Sequence, residues 1–146
     1  MNVIPLLLLV FLSFNINARS LTDSERVAVE KTIREEMKDP DAAKFHHQDF
    51  PYPEETYTYC GYVNGKNSYG AYAGKQLFAV MVDRDVALSF TFNKSTGKQQ
   101  NPEIIAARCA SGGYDLPILK MFFDQVNKDR SEKGIPLLDK NYIKRN

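Results

Sequence analysis

The first clear pattern in the chain is a helical one near its start. Hydrophobic residues recur every four positions at Val29, Ile33 and Met37, and charged residues fill most of the positions between them. This spacing predicts an amphipathic helix with a single face toward a core. Thr22 and Glu25 have the spacing of a capping box, in which each side chain satisfies a backbone N–H of the first turn. The helix should end before the Asp-Pro dipeptide at 39–40, because proline disfavours helical geometry in the residue before it.

A short turn and three strands are predicted to follow. Asp39 and Pro40 suit the start of one helical turn, after which Phe45 returns to the core. Along residues 56–63 and 86–92, apolar or aromatic residues alternate with smaller or more polar ones, as they do in strands. Residues 77–82 are apolar throughout, which is typical of a central strand. The link between the last two segments is short, so we expect them to form an antiparallel hairpin.

Two further helices are predicted in the C-terminal half. The first spans 102–109 and directs Ile104 and Ile105 inward. Asp115 is expected to cap the second, with Pro117 in its first turn and Gly134 as its stop. Residues 135–146 form a basic tail that we expect to fray. The prediction is an α+β fold in the order α-β-β-β-α, a three-stranded antiparallel sheet flanked by an N-terminal and a C-terminal helix over one face.

The first 20 residues differ from the rest in composition. Residues 3–14 form an apolar run broken only by Pro5 and Ser13. The run is shorter than the roughly 20 residues that cross a bilayer and suits the core of a secretory signal. Ala18 or Ser20 is a suitable last residue before cleavage. We therefore expect a signal peptide over 1–20, a single domain over 21–134 and a periplasmic or secreted protein without a membrane span; an uncleaved anchor or a buried first helix is the alternative.

The two cysteines, Cys60 and Cys109, form an even pair in a chain predicted to be exported. A disulfide is the expected outcome in an oxidising compartment, although two buried thiols that never meet would have the same sequence. Closing a loop of this length contributes about 4 kcal/mol in the chain-entropy model. The charges are balanced, with 19 basic and 18 acidic residues. The chain therefore lacks the excess of basic residues that is typical of a nucleic-acid-binding protein.

The chain carries no strong signature of catalysis, metal binding or cofactor binding. The segment GAYAGK at 70–75 is one residue short of a phosphate-binding loop and precedes a strand rather than a helix. His46 and His47 are adjacent, and neighbours on an extended chain point apart, so we expect solvated loop residues rather than metal ligands. Ser111 lacks the G-x-S-x-G elbow of a nucleophilic serine. We expect no catalytic residue, no metal ion and no cofactor, and we favour a non-enzymatic protein.

Tyrosine is concentrated in the middle of the chain. Six of the eight tyrosines fall within 21 residues: Tyr52, Tyr57, Tyr59, Tyr62, Tyr69 and Tyr72. Tyrosine suits protein interfaces and glycan contacts, because it combines apolar area with a polar tip. Cross-strand packing on an uncovered sheet face explains the same cluster. Within it, Asn64-Gly65 predicts a tight turn with positive φ, and Gly70 and Gly74 allow the chain to enter the central strand.

Two segments resemble a widespread group of small exported bacterial proteins. They are DPDAAKF at 39–45 and CGYVNGKNSYGAYAG at 60–74. The group shares the patterns D-P-x-[SA]-A-x-F and C-G-x-V-N-x-K-N-x-x-G-x-Y-x-G. Its members commonly carry an acidic residue after Cys-Gly, where Tyr62 stands here. The resemblance implies a bacterial origin and export, and it implies no activity.

The main functional hypothesis is a non-enzymatic exported binding protein that acts on another envelope or secreted protein. An inhibitor, an immunity factor and an exclusion factor all belong to this class. Its predicted binding residues are Tyr62, Asn64, Lys66, Asn67, Tyr69 and Tyr72. The first alternative is a small periplasmic hydrolase or glycan-binding accessory protein, in which Asn64, Lys66 and Asn67 orient a polar ligand. The second is a structural envelope component without a discrete ligand.

Overall fold

The protein is described by a computed structural model over residues 18–93 and 98–145. The predicted signal peptide lies outside the described residues except for 18–20. Two 3₁₀ turns, Pro40–Ala42 and Lys140–Tyr142, accompany the regular elements. In chain order, those elements are α1 (Asp23–Arg34), β1 (Lys44–His46), β2 (Thr58–Lys66), β3 (Tyr72–Asp83), β4 (Val86–Ser89), β5 (Phe92–Asn93), β6 (Lys98–Gln99), α2 (Pro102–Ser111) and α3 (Lys120–Glu132). No described helix is long and apolar enough to cross a membrane.

The main sheet is antiparallel and has four strands in the order β1-β2-β3-β4. The prediction of three strands was therefore wrong by one. The additional strand, β1, is only three residues long with Phe45 as its single apolar residue, so its alternation is too short to distinguish a strand from a loop. Phe45 pairs with Val63 and packs against the core, as expected. A separate two-stranded ribbon, β5 with β6, follows the sheet.

The helices lie on opposite faces of the sheet rather than on one face. Val63 lines a groove together with Ile33 of α1. Cys60, three positions earlier on β2, is bonded to Cys109 of α2. Because successive side chains of a strand alternate between faces, Cys60 and Val63 point in opposite directions. We refer to these sides as the α1 face and the α2 face; the arrangement explains why Phe78, Ala79 and Val80 of β3, which point alternately to the two sides, are all buried.

The predicted start of α1 and the predicted disulfide are both confirmed. The Thr22 hydroxyl accepts from the backbone N–H of Glu25, and the Glu25 carboxylate accepts from the backbone N–H of Thr22. The Asp39 side chain accepts from the backbone N–H of Ala42, as predicted for the short turn. Cys60 and Cys109 are fully buried and form the disulfide, which ties β2 to α2.

The C-terminal region differs from the prediction at two points. Asp115 does not cap a helix: α3 begins at Lys120, after Leu119, and the Asp115 carboxylate is paired with Arg130. The tail is not frayed over its described residues, since Ile135 and Leu138 are buried. Arg130 has almost no exposed area and donates to the carbonyl oxygens of residues 110, 114 and 136, so it ties α2, the following loop and the tail together.

Candidate binding surface

The turn between β2 and β3 is built around one asparagine side chain. Asn67 Oδ1 accepts from the backbone N–H groups of Tyr69, at 2.9 Å, and Ala71, at 3.2 Å. The backbone N–H of Asn67 donates to the carbonyl of Ala71 at 2.8 Å. Gly70 has φ +77°, which an L-residue with a side chain rarely adopts. The loop is therefore closed by its own polar groups.

The Asn64-Gly65 dipeptide does not form the turn that the sequence predicted. Both residues lie within β2, and Gly65 is not among the residues with positive φ. Asn64 Oδ1 instead accepts from the backbone N–H of Gly74 at 3.1 Å, across the hairpin. A register irregularity between Asn64 and Lys66 brings Lys66 opposite Tyr72. Gly74 has φ +97° and lies near the start of β3.

On the α2 face, the end of the sheet beyond α2 carries two cross-strand rows. The first row runs Lys44, Asn64, Lys75 across β1, β2 and β3, and the second runs His46, Tyr62, Leu77. Residues directly opposite each other on antiparallel strands point to the same face. Lys44, His46 and Lys75 are exposed, whereas Tyr62 and Asn64 are half-buried.

Tyr72 links these rows to the hairpin through two ammonium groups. Lys44 Nζ lies 4.2 Å from the centroid of the Tyr72 ring, and Lys66 Nζ lies 5.6 Å from it. Each is within the roughly 6 Å range of a cation–π contact. The ring remains 40% exposed. We call this area the lysine–tyrosine surface, and its members are Lys44, Tyr62, Asn64, Lys66, Tyr72 and Lys75.

The six residues predicted to bind a partner have different roles in the structure. Asn64 and Asn67 both use their carbonyl oxygens to hold the hairpin. Tyr62 and Tyr72 belong to the lysine–tyrosine surface together with Lys66. Tyr69 lies at the tip of the hairpin, where it is 95% exposed.

Sequence reasoning missed Lys44 and Lys75. These residues join the surface only through strand register, and β1 was not predicted. The Lys-Phe-His triplet of β1 does alternate polar, apolar, polar, and this was the one available signal.

The surface is electropositive. Lys44, Lys66 and Lys75 form no ion pair with any described residue. The two cross-strand rows contain no carboxylate. Three unpaired ammonium groups beside exposed tyrosine rings can attract an anionic group and bury apolar area against it.

The histidines are not equivalent: His46 is exposed on β1, whereas His47 follows that strand and, although exposed, is held by two side chains. His47 Nδ1 lies 2.9 Å from the Tyr59 hydroxyl, and His47 Nε2 lies 2.8 Å from Glu30 Oε1. Burial raises the pKa of Tyr59 to about 12. The Tyr59 hydroxyl also bonds to the backbone of Gln48. Since Tyr59 is fully buried, these contacts attach α1 to β2 and present no accessible nucleophile.

The structure also bears on Ser111 as a nucleophile and on metal binding. Ser111 Oγ donates to Asp129 Oδ2 at 2.9 Å, which links α2 to α3. Among residues 18–93 and 98–145, no group of three or more histidine, cysteine or acidic side chains is arranged to hold a metal ion. The lysine–tyrosine surface therefore provides the clearest candidate site in the described part of the chain.

Together these elements define a disulfide-bonded α+β domain with a rigid β-hairpin at one end of a four-stranded sheet. Comparison with known protein families, curated proteins and solved structures finds no match to the chain.

Proposed function

We propose that the protein is an exported, non-enzymatic binding protein that recognises another protein of the bacterial envelope through the lysine–tyrosine surface and the adjacent hairpin tip. An inhibitor, immunity or exclusion factor is the class of activity that fits. The observation that supports it best is the exposure of Tyr69 and Tyr72 on a hairpin that is held by its own hydrogen bonds. A surface ordered before binding loses little conformational entropy on association.

The charge of the surface indicates the chemistry of the partner. Lys44, Lys66 and Lys75 have no ion pairs within the described chain, so carboxylates on a partner could form ion pairs with them. Tyrosine is enriched among the residues that dominate protein interfaces. We therefore expect an acidic patch with an apolar centre on the partner, and an association rate that falls as salt is added.

The alternative of a hydrolase or glycan-binding accessory protein has less support. It requires Asn64 and Asn67 to orient a polar ligand. The carbonyl oxygens of both side chains already accept backbone N–H groups at 2.9–3.2 Å. Asn67 Oδ1 accepts two such bonds and Asn64 Oδ1 accepts one, so turning either side chain toward a ligand would break hydrogen bonds that hold the hairpin.

The test is capture from an envelope extract with immobilised protein, quantified by mass spectrometry and followed by affinity measurement on the purified partner. Tyr69→Ala should weaken binding by about 2 kcal/mol or more if the residue is a hot spot, roughly a thirtyfold change in Kd. Tyr57→Ala is the matched control, because Tyr57 is 58% exposed but lies outside the surface. A partner retained equally by wild type, Tyr69→Ala and a Lys44→Gln/Lys75→Gln double variant would contradict the proposal.

A further inference from the structure

We propose a second binding site, in the groove between α1 and the sheet, for a small monocarboxylate with a short apolar chain. The groove is bounded by the C-terminal end of α1, by β2 and β3, and by the β5–β6 ribbon. It opens on the α1 face, whereas the rows of the lysine–tyrosine surface lie on the α2 face. The proposal does not require the protein-binding function, although Lys66 borders both sites.

The size of the groove restricts the ligand. Its volume is about 260 Å³. Clefts for drug-sized ligands and cofactors occupy roughly 300–1,000 Å³. The groove is slightly smaller, so it has room for a short acyl chain but not for a nucleotide or a large cofactor.

The floor of the groove is apolar. Ile33, Val63 and Phe78 are buried beneath it, and Phe92 lines it half-buried. The transfer of a methyl group from water onto such a floor is favourable, and its free energy is proportional to the apolar area removed from water. The floor alone would accept any apolar chain, so it does not select the headgroup.

The Met37 methyl group lies over Gly65 and forms part of the wall of the groove. A Cβ atom added at Gly65 would contact this methyl group, which is the free end of a flexible side chain and would move aside. Methionine suits a wall that adapts to chains of different shape, because its side chain is unbranched and polarisable.

The rim supplies the selection for a negative headgroup. Lys38 and Lys66 line the groove, and both can reach an anion without leaving a buried partner, since their present contacts are an exposed hydroxyl and the face of an exposed ring. The single carboxylate of the rim, Glu36, already accepts from the Ser89 hydroxyl at 2.9 Å. The amides that complete the rim can also donate to a carboxylate: Asn67, Gln76 and Gln99.

The charges of the rim and the apolar floor together favour one class of ligand. Two ammonium groups against one engaged carboxylate favour a singly charged anion over a cation or a neutral alcohol. An apolar floor in a groove of about 260 Å³ favours a short alkyl chain. A monocarboxylate with such a chain satisfies both conditions.

The test is a titration of isotope-labelled protein, followed by NMR chemical-shift changes, with three probes of equal chain length. The probes are octanoate, octyltrimethylammonium and octanol. Octanoate should cause saturable shifts at residues lining the groove, with a lower Kd than octanol, and octyltrimethylammonium should bind there more weakly than octanol. Equal Kd values for octanoate and octanol, or no saturable shifts with octanoate, would overturn the proposal.

Substitutions separate the headgroup contacts from the apolar contacts. Lys38→Gln and Lys66→Gln should each raise the Kd for octanoate about two- to fivefold and leave that for octanol unchanged. Lys120→Gln is the matched control, since Lys120 is exposed at the start of α3 and does not line the groove. Lys38 lies outside the hairpin, so Lys38→Gln remains informative if Lys66→Gln disturbs the turn.

Blocking the groove provides an independent measurement. Ala73 lines the groove and is exposed, so Ala73→Trp obstructs the mouth without enlarging a buried side chain. We expect the octanoate shifts to disappear in this variant. Wild-type affinity for octanoate in both Ala73→Trp and Lys38→Gln would show that the carboxylate binds elsewhere, and the assignment of the groove would then be wrong.

Discussion

Replacing Arg130 with methionine should destabilise the protein by about 3 kcal/mol or more, because it removes the hydrogen bonds made by a buried charged group. The guanidinium group donates to the carbonyl oxygens of Ala110 at 2.7 Å, Tyr114 at 2.9 Å and Pro136 at 3.0 Å. Methionine fills similar volume but donates nothing. A hydrogen bond from a charged group contributes about 1.5–3 kcal/mol, so the two buried bonds, to Ala110 and Tyr114, give at least about 3 kcal/mol. The Ala110 carbonyl keeps a second donor, the backbone N–H of Gly113, and Pro136 is exposed, so little is added for unpaired carbonyls.

The ion pair between Arg130 and Asp115 should contribute much less than the carbonyl contacts. The N–O distance is 3.0 Å, but the Asp115 side chain is 58% exposed. Ion pairs with an exposed partner contribute about 0–1 kcal/mol. Asp115→Asn is therefore the matched control, and it should cost less than about 1 kcal/mol.

Urea unfolding followed by circular dichroism measures both free energies of unfolding. Amide hydrogen exchange adds a local readout, because the backbone N–H of Ile135 donates to the carbonyl of Arg130. That amide should exchange faster in Arg130→Met and at the wild-type rate in Asp115→Asn. A loss below about 1 kcal/mol in Arg130→Met, or equal losses in both variants, would refute the assignment of stability to the carbonyl contacts.

Three further predictions concern the disulfide and the N-terminal end of the domain. Removing the disulfide with Cys60→Ala/Cys109→Ala should lower the free energy of unfolding by about 4 kcal/mol, since the cysteines are 49 residues apart; an unchanged urea midpoint would exclude this. Signal cleavage should follow Ala18 rather than Ser20, because Arg19 pairs with Glu25 at 2.8 Å and bonds to the backbone of Phe50; intact-mass analysis of the exported protein decides between the two sites. The hydrogen bonds from Arg19 hold the pKa of Glu25 below its ordinary value, so the pair's contribution should be complete above about pH 5 and lost as the pH falls through that lowered pKa. Urea unfolding should therefore show the advantage of wild type over Arg19→Gln shrinking in acid, and an advantage independent of pH would contradict this reasoning.

Local signals were sufficient to predict much of the fold. The four-residue period and the capping box located α1, and Pro102 marked the start of α2 at the residue where it begins. Side-chain hydrogen bonds within a few residues decide these features, so they are visible in a short window of sequence. The short strand β1 has no such local cause, because it forms only where Lys44, Phe45 and His46 find partners on β2.

The placement of both helices on one face overlooked a signal that was present. The apolar run at 77–82 lacks the alternation of apolar and polar residues found in a strand with one solvent-exposed face. Phe78 points toward the α1 face and Ala79 toward the α2 face, and both have no exposed area. Such a strand must be covered from both sides, which two helices on a single face cannot do.

The error at Asp115 has a different physical origin. Aspartate before a helical pattern is a frequent N-cap, since its short side chain reaches the free N–H groups of the first turn. Here the carboxylate is held by Arg130, 15 residues along the chain, and α3 begins at Lys120 without a side-chain cap. A contact between residues this far apart competes with the local one and cannot be found from local spacing.

The hairpin shows that residues prominent in a sequence motif can be explained by the backbone conformation they hold. Asn64, Asn67, Gly70 and Gly74 were prominent because few residue types are suited to their positions, and their work in the structure is to close the hairpin. Positions that must hold a backbone conformation and positions that must contact a partner look alike in one sequence. The lysines beside Tyr72 are different, because their ammonium groups are available to another molecule and the fold does not require their charge. If the surface binds an acidic partner, replacing these lysines should change affinity without changing stability, whereas replacing Asn67 should change both.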